Sequence, residues 1–157
     1  MINAIFSGKE LDYIRSQRIA RIATAAEAEA DSTNSSAATK GIIIQPDVVP
    51  VGFHFDGECF QIGGINMLKS TKYKNVLKNS TVALVIDDLK TAKPWQPRGI
   101  RVYGDAEITK RQGASLEKND HFEIVYSIRI TPRRKWSWGI NKPLFVNGRI
   151  KDDEQKP

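Results

Sequence analysis

Two stretches constrain this chain more than anything else in it: residues 99–108, GIRVYGDAEI, and residues 122–131, FEIVYSIRIT. Apolar and polar or small residues alternate through both. A period of two places every second side chain on one face of an extended strand, so each stretch has one face to bury and one to leave out. The same reading applies to residues 18–25, RIARIATA, and to 48–55, VVPVGFHF, where Pro50 marks an edge or a bulge. Residues 41–44 begin a further strand. Residues 58–62 follow Asp56-Gly57, a tight hairpin signal that pairs them with the strand before. Residues 82–87, VALVID, are apolar enough to be central, and 135–140, KWSWGI, close the series. Strands at this spacing with short turns predict a mostly β, antiparallel barrel or sandwich.

Two helices break the pattern. Ser7-Gly8-Lys9-Glu10 has the capping-box form, a serine with a glutamate three residues later, and Leu11, Ile14 and Ile19 supply an apolar stripe. The first helix is expected over 8–17. The second follows Gly63-Gly64, with Ser70 and Asn66 both candidate caps and with Val76 and Leu77 directed to the core. Residues 26–40, AEAEADSTNSSAATK, hold no aromatic or large aliphatic side chain and cannot offset their ordering entropy by burial, so they read as a mobile loop. The expected organisation is one domain over 1–150, that loop at 26–40, and a charged, frayed tail at 151–157.

Composition narrows the function classes. No apolar run approaches a membrane span, and the first residues, MINAIFSGKELDYIRSQ, lack the build of a secretory signal. Cys59 is the single cysteine, so there is no internal disulfide and a reducing, cytoplasmic setting is expected; it reads as a buried small hydrophobe. His54, Cys59 and His121 have no metal-ligand spacing, so no metal is expected. The net charge of +6 favours an anionic partner: a phosphorylated small molecule, nucleic acid or a membrane surface.

The basic stretch at 66–79, NMLKSTKYKNVLKN, gathers Lys69, Lys72, Lys74 and Lys78 around Ser70 and Thr71 just after a strand ends. Glycines at 63 and 64 allow a sharp bend and a close approach to a ligand. A helix N-terminus presents free N–H groups and the positive end of its dipole, which suits phosphate. A solvated lysine face accounts equally well for the composition.

Several segments, in order, resemble the pyridoxamine-5'-phosphate-oxidase-like flavin-binding split-barrel family. These are 47–53 (DVVPVGF), Ser70-x-Lys72 with Asn79 beyond it, 97–107 (PRGIRVYGDAE), and 128–134 (IRITPRR) with 136–139 (WSWG). Asn79-Ser80 departs from the usual Asn-Pro, and the loop at 26–40 is longer than the usual hairpin. The ending ITPRRKWSWG resembles most the branch that uses the deazaflavin coenzyme F-420, and the chain lacks the extra C-terminal segment of the true oxidases.

The resemblance implies a six-stranded antiparallel split barrel with short flanking helices, dimerising with cofactor sites at the interface. It implies an oxidoreductase that passes hydride to a small organic substrate, with coenzyme F-420 as cofactor and FMN as the alternative. The implied cofactor-binding residues are Val51, Gly52 and Phe53 at the ring edge, Gly64 and Ile65 at the bend, and Ser70, Thr71, Lys72 and Asn75 at the phosphate. Arg98 or Arg101 would add a second charge, and Arg129, Arg133 or Trp138 of a partner copy would close the pocket. No side-chain catalyst is implied, because the cofactor carries the chemistry. Arg98 and Arg101 are three apart, hence on opposite strand faces; Trp136 and Trp138 share one and suit packing or an interface. His54 reads as a hydrogen-bonded strand residue rather than a catalyst. A non-catalytic flavin- or tetrapyrrole-binding protein is a competing reading. Nucleic-acid binding ranks below both, since Tyr73 alone interleaves with the lysines.

Overall fold

A computed structural model describes residues 5–28, 43–114, 122–146 and 149–150. Most of the predicted 26–40 loop, all of the 151–157 tail, and His121 lie outside the described residues. Within them the chain runs α1 (Gly8–Ser16), β1 (Ile19–Glu27), β2 (Ile44–Gly52), β3 (His54–Phe55), β4 (Phe60–Ile62), a 3-10 turn at Met67–Lys69, α2 (Thr71–Lys78), β5 (Thr81–Thr91), β6 (Gln96–Ala114) and β7 (Phe122–Trp138). A short hairpin of β8 (Phe145–Val146) and β9 (Arg149–Ile150) ends it.

The main sheet is antiparallel, in the order β2-β1-β5-β6-β7-β4-β3. It therefore has seven strands where six were expected, because the predicted strand at 48–55 splits at Phe53 into β2 and β3. Pro46 and Pro50 both sit in β2, an edge strand, where a missing N–H leaves no ladder bond unmade. The inward faces meet in one core, with Ile22, Phe60, Ile62, Leu84, Ile86, Ile100, Val102, Ile128 and Ile130 fully buried.

The last two predicted strands, 122–131 and 135–140, are one strand. Pro132 does not end it, because a bulge absorbs the irregularity: Tyr103 pairs with Arg134 and Gly104 with Pro132, which leaves Arg133 without a ladder partner. The extra residue reverses the alternation. Before it, Ile128 and Ile130 face inward; after it, Lys135 and Ser137 do, opposite the buried Val102 and Ile100. Trp136 and Trp138 consequently share the outer face, with ring centroids 6.0 Å apart.

Both helices form as their caps predict. The Ser7 hydroxyl accepts from the Glu10 N–H, and the Glu10 carboxylate accepts from the Ser7 N–H at 2.7 Å. Ser70 caps α2, its hydroxyl accepting from the Tyr73 N–H. Asn66 makes no side-chain cap and instead adopts a left-handed turn, φ 54°. Leu77 corrects the expectation for α2: it is 63% exposed, whereas Val76 is buried.

Candidate functional site

The two helices close opposite ends of the curled sheet, and the charged residues divide between them. At the α1 end, the Glu10 carboxylate is fully buried and accepts hydrogen bonds from the Lys135 ammonium and the Ser137 hydroxyl. Burial pushes the Glu10 carboxyl up, but the bonds from Lys135, Ser137 and the Ser7 N–H outweigh it and hold the group below its ordinary value. Nearby, Arg98 grips Asp88 with two hydrogen bonds of 2.7 and 2.8 Å, which lowers the Asp88 carboxyl. The Tyr13 hydroxyl donates to Asp88 at 3.2 Å, and the Arg98 guanidinium lies over the Tyr13 ring. Burial first and the Asp88 charge second push the Tyr13 hydroxyl up.

The α2 end is built differently. A groove of about 790 Å³ runs between the β2–β3 junction (Gly52, Phe53, His54), the end of β4 (Gln61, Gly63) and the far part of the β6–β7 ladder (Thr109, Lys110, Arg111, Val125, Ser127). That volume falls in the range of small-molecule sites. The groove lining includes two cationic residues and no carboxylate. Beside it the chain bends at Gly63-Gly64. A Cβ on Gly64 would stand 3.8 Å from the Lys72 Nζ and 3.5 Å from the Met67 Cε, ordinary contact distances that place the lysine ammonium near this bend. No ion pair of Lys72 occurs among the described residues. A bend without side chains, an ammonium near it and a groove that Gly63 lines fit a flat ring with a phosphate tail.

The other expected site residues sort themselves by what already holds them. Gly52 and Phe53 line the groove, while the Val51 side chain is buried in the core and leaves only its backbone to a ligand. Ile65 is 95% exposed at the bend. Thr71 is exposed at the first position of α2. The Ser70 hydroxyl is engaged as a cap and donates to the Met67 carbonyl at 2.7 Å. Asn75 donates to the Thr24 hydroxyl at 3.0 Å, and Asn79 to the Ala25 carbonyl at 2.9 Å, so both tie α2 to β1.

Arg98, Arg101 and Trp138 are not brought to the groove within one chain. Arg101 and Thr109 are eight residues apart along β6, roughly 26 Å at 3.3 Å per residue. Arg98 is taken up by Asp88. Arg101 lies on the opposite strand face, as its spacing predicts, with its guanidinium 4.5 Å from the Trp136 ring and 5.1 Å from Tyr103. Trp138 covers Gly99, where a Cβ would meet its ring at 2.4 Å. Cys59 is buried, as expected.

Sequence reasoning passed over Gln61, Thr109, Lys110, Arg111 and Ser127 and read His54 as a bland strand residue. Their signal is the register, which sets His54 opposite Gln61 and Thr109 opposite Ser127. The hairpin that carries the first pair is fixed by Asp56, whose carboxylate accepts from the N–H groups of Cys59 and Glu58 at 2.7 and 2.8 Å.

This fold recurs in solved structures. A conserved hypothetical protein of Mycobacterium tuberculosis shares it with a TM-score of 0.56 and 22% identity, covering 88% of each chain. A FAD-binding protein of Mesorhizobium loti gives 0.54 and 16%, covering 84% of this chain and 91% of that one. A protein of Corynebacterium glutamicum assigned as a pyridoxamine 5'-phosphate oxidase gives 0.52 and 19%, covering 85% and 94%. The fold is thus that of the pyridoxamine-phosphate-oxidase-like flavin-binding split barrels. No family model matches the sequence. It is, however, 32% identical over 149 residues to the 5a,11a-dehydrotetracycline/5a,11a-dehydrooxytetracycline reductase of Streptomyces rimosus, an alignment covering 94% of this chain and 92% of that protein. The chain belongs to the same family as that reductase.

Proposed function

We propose that this protein is a homodimeric oxidoreductase that uses the deazaflavin coenzyme F-420, with FMN as the alternative, to reduce an activated double bond in a small organic acceptor. The observation that carries the reading is the 32% identity with a reductase across nearly the whole of both chains. When bound, the reduced cofactor supplies the hydride. The chain's own part is binding and orientation. Lys72 and the N–H groups at the start of α2 hold the phosphate, with the Thr71 hydroxyl beside them. The bare backbone at Gly63-Gly64 lets the ribityl chain pass, and Gly52 and Phe53 border the ring. The acceptor occupies the remaining groove between His54, Gln61 and the Thr109–Ser127 pair.

The dimer reading draws support from the outer face of the sheet. Ladder pairing sets Val48, Ala23, Ala83 and Tyr103 in one row and Pro50, Arg21, Val85, Arg101 and Trp136 in the next. Seven of these nine residues are apolar or aromatic and the other two are arginines, a composition that suits an interface. A second copy laid on this face would carry its own Arg101 and Trp138 toward the first copy's groove, the role a single chain cannot give them.

Titration of the purified protein with coenzyme F-420 and with FMN, read by fluorescence and calorimetry, tests the proposal. Saturable binding of the deazaflavin with weaker FMN binding is expected. Preference for FMN would replace the cofactor, and binding of neither would overturn the enzymatic reading.

A further inference from the structure

We propose that His54 is the proton donor of the reaction, the side chain that completes the reduction after hydride has reached the acceptor. The inference rests on the reductase reading above.

Reduction of an activated double bond needs two hydrogens with different charges. Hydride from the reduced cofactor forms a C–H bond at the β-carbon of a conjugated ketone. The double-bond electrons move toward the carbonyl, leaving an enolate that requires a proton. Either bulk water or a side chain supplies it, and a positioned side chain does so faster.

The groove narrows the choice to one residue. Among its lining groups, Phe53, Val125 and the two glycines carry no exchangeable side-chain proton, and the Gln61 amide donates hydrogen bonds but not protons. The Thr109 and Ser127 hydroxyls are bonded to each other at 2.7 Å and are far too weakly acidic. Lys110 and Arg111 bring positive charge to the groove, and ammonium and guanidinium groups are as classes much weaker acids than imidazolium. His54 remains, and imidazole is the side chain that exchanges a proton near neutrality.

Its placement suits the task. His54 is exposed into the groove, on β3, directly opposite Gln61 on β4. Gln61 is thus set to donate a hydrogen bond to the acceptor's carbonyl oxygen while the imidazolium gives its proton to the α-carbon of the enolate. The N–H bond breaks, the C–H bond forms, and neutral imidazole regains its proton from water. The charged groups around His54 are Asp56 and Glu58 in its own hairpin, Lys110 and Arg111 on β6, and Arg129 on β7, which pairs with Gln61 in the ladder and with Glu107. The cations favour the enolate.

The test uses full-length protein, wild type and His54→Gln, with reduced coenzyme F-420 and 5a,11a-dehydrotetracycline as probe acceptor. The variant is expected to bind the cofactor as the wild type does and to lose about 100-fold or more in kcat, together with the basic limb of the kcat–pH profile. A second readout needs no turnover: the His54 ring signals in a pH titration followed by NMR, with and without 4-nitrophenolate as an enolate mimic. The phenolate should raise the His54 titration midpoint, and His54→Gln should weaken its binding. If the wild type binds the cofactor and either kcat with its pH profile is unaltered in the variant or the His54 titration ignores the phenolate, the assignment to His54 is wrong and the reductase reading stands. If the wild type binds neither cofactor, the reductase reading falls and this inference falls with it.

Discussion

The α1 end and the α2 end of the sheet are both rich in cations, yet they spend them in opposite ways. At the α1 end each cation that the argument concerns meets a carboxylate: Lys135 meets Glu10 and Arg98 meets Asp88. At the α2 end the Lys72 ammonium stands near Gly64 without an ion pair among the described residues, and the groove that Gly63 lines holds Lys110 and Arg111 with no carboxylate in its lining. Basic residues balanced inside the fold contribute to its stability. Basic residues left unbalanced beside a cavity imply an anion from outside.

Substitutions can break this contrast. The largest effect is expected from Lys135→Ala, which leaves the buried Glu10 carboxylate without its cation and should cost about 3–5 kcal/mol of unfolding free energy. Urea denaturation measures it, and a loss below about 1 kcal/mol, the scale of a surface pair, would mean that the pair is not buried in solution. The same pair sets an acid limit. Glu10 is held below its ordinary value of 4.5, so its contribution is present above that pH and is lost as pH falls through the lower folded-state value. Denaturation midpoints should therefore drop more steeply below about pH 4.5 in the wild type than in Glu10→Gln. Equal slopes would show that Glu10 titrates as it does in the unfolded chain.

Next in size, Lys72→Ala should weaken cofactor affinity by about 1.5–3 kcal/mol, the scale of a bond to a charged group, without moving the thermal midpoint. An unchanged affinity would remove Lys72 from the site and return the 69–78 segment to a solvated face. The smallest effect sharpens the contrast from the other side. Arg98→Ala breaks a partly buried pair at the protein surface, so about 1 kcal/mol of stability should be lost while cofactor affinity stays as it was. A fall in affinity would instead bring Arg98 back into the site through a partner copy.

What the sequence made legible was local. The capping box at Ser7–Glu10, the Asp56-Gly57 turn and the reading of Pro50 as an edge or a bulge each rest on a residue and its near neighbours. The divided fate of Arg98 and Arg101 was legible too, since spacing alone puts them on opposite faces. What depended on distant pairing was not. His54 and Gln61 form one wall of the groove only because β3 pairs with β4, and Thr109 and Ser127 form another only because β6 pairs with β7. Arg98, Arg101 and Trp138 resembled site residues by motif, but the lengths of β6 and β7 keep them away from the groove within one chain. The strand break expected between 131 and 135 failed for a related reason: Pro132-Arg133-Arg134 has the composition of a turn, and only the pairing with Tyr103 and Gly104 makes it a bulge.

That bulge gives the end of β7 something like a reading frame. Taking Arg133 into the ladder opposite Tyr103 would slide residues 134–138 by one step, turning two indoles toward the interior and sending the partners of Glu10 out to water. Neither half of the exchange is tolerable, and no single substitution repairs it. Deleting Arg133, by contrast, would remove the bulge and leave residues 134–138 opposite their present partners. Among relatives of this chain, a single residue should be lost from this segment only at the bulge itself, where the pairing on either side survives.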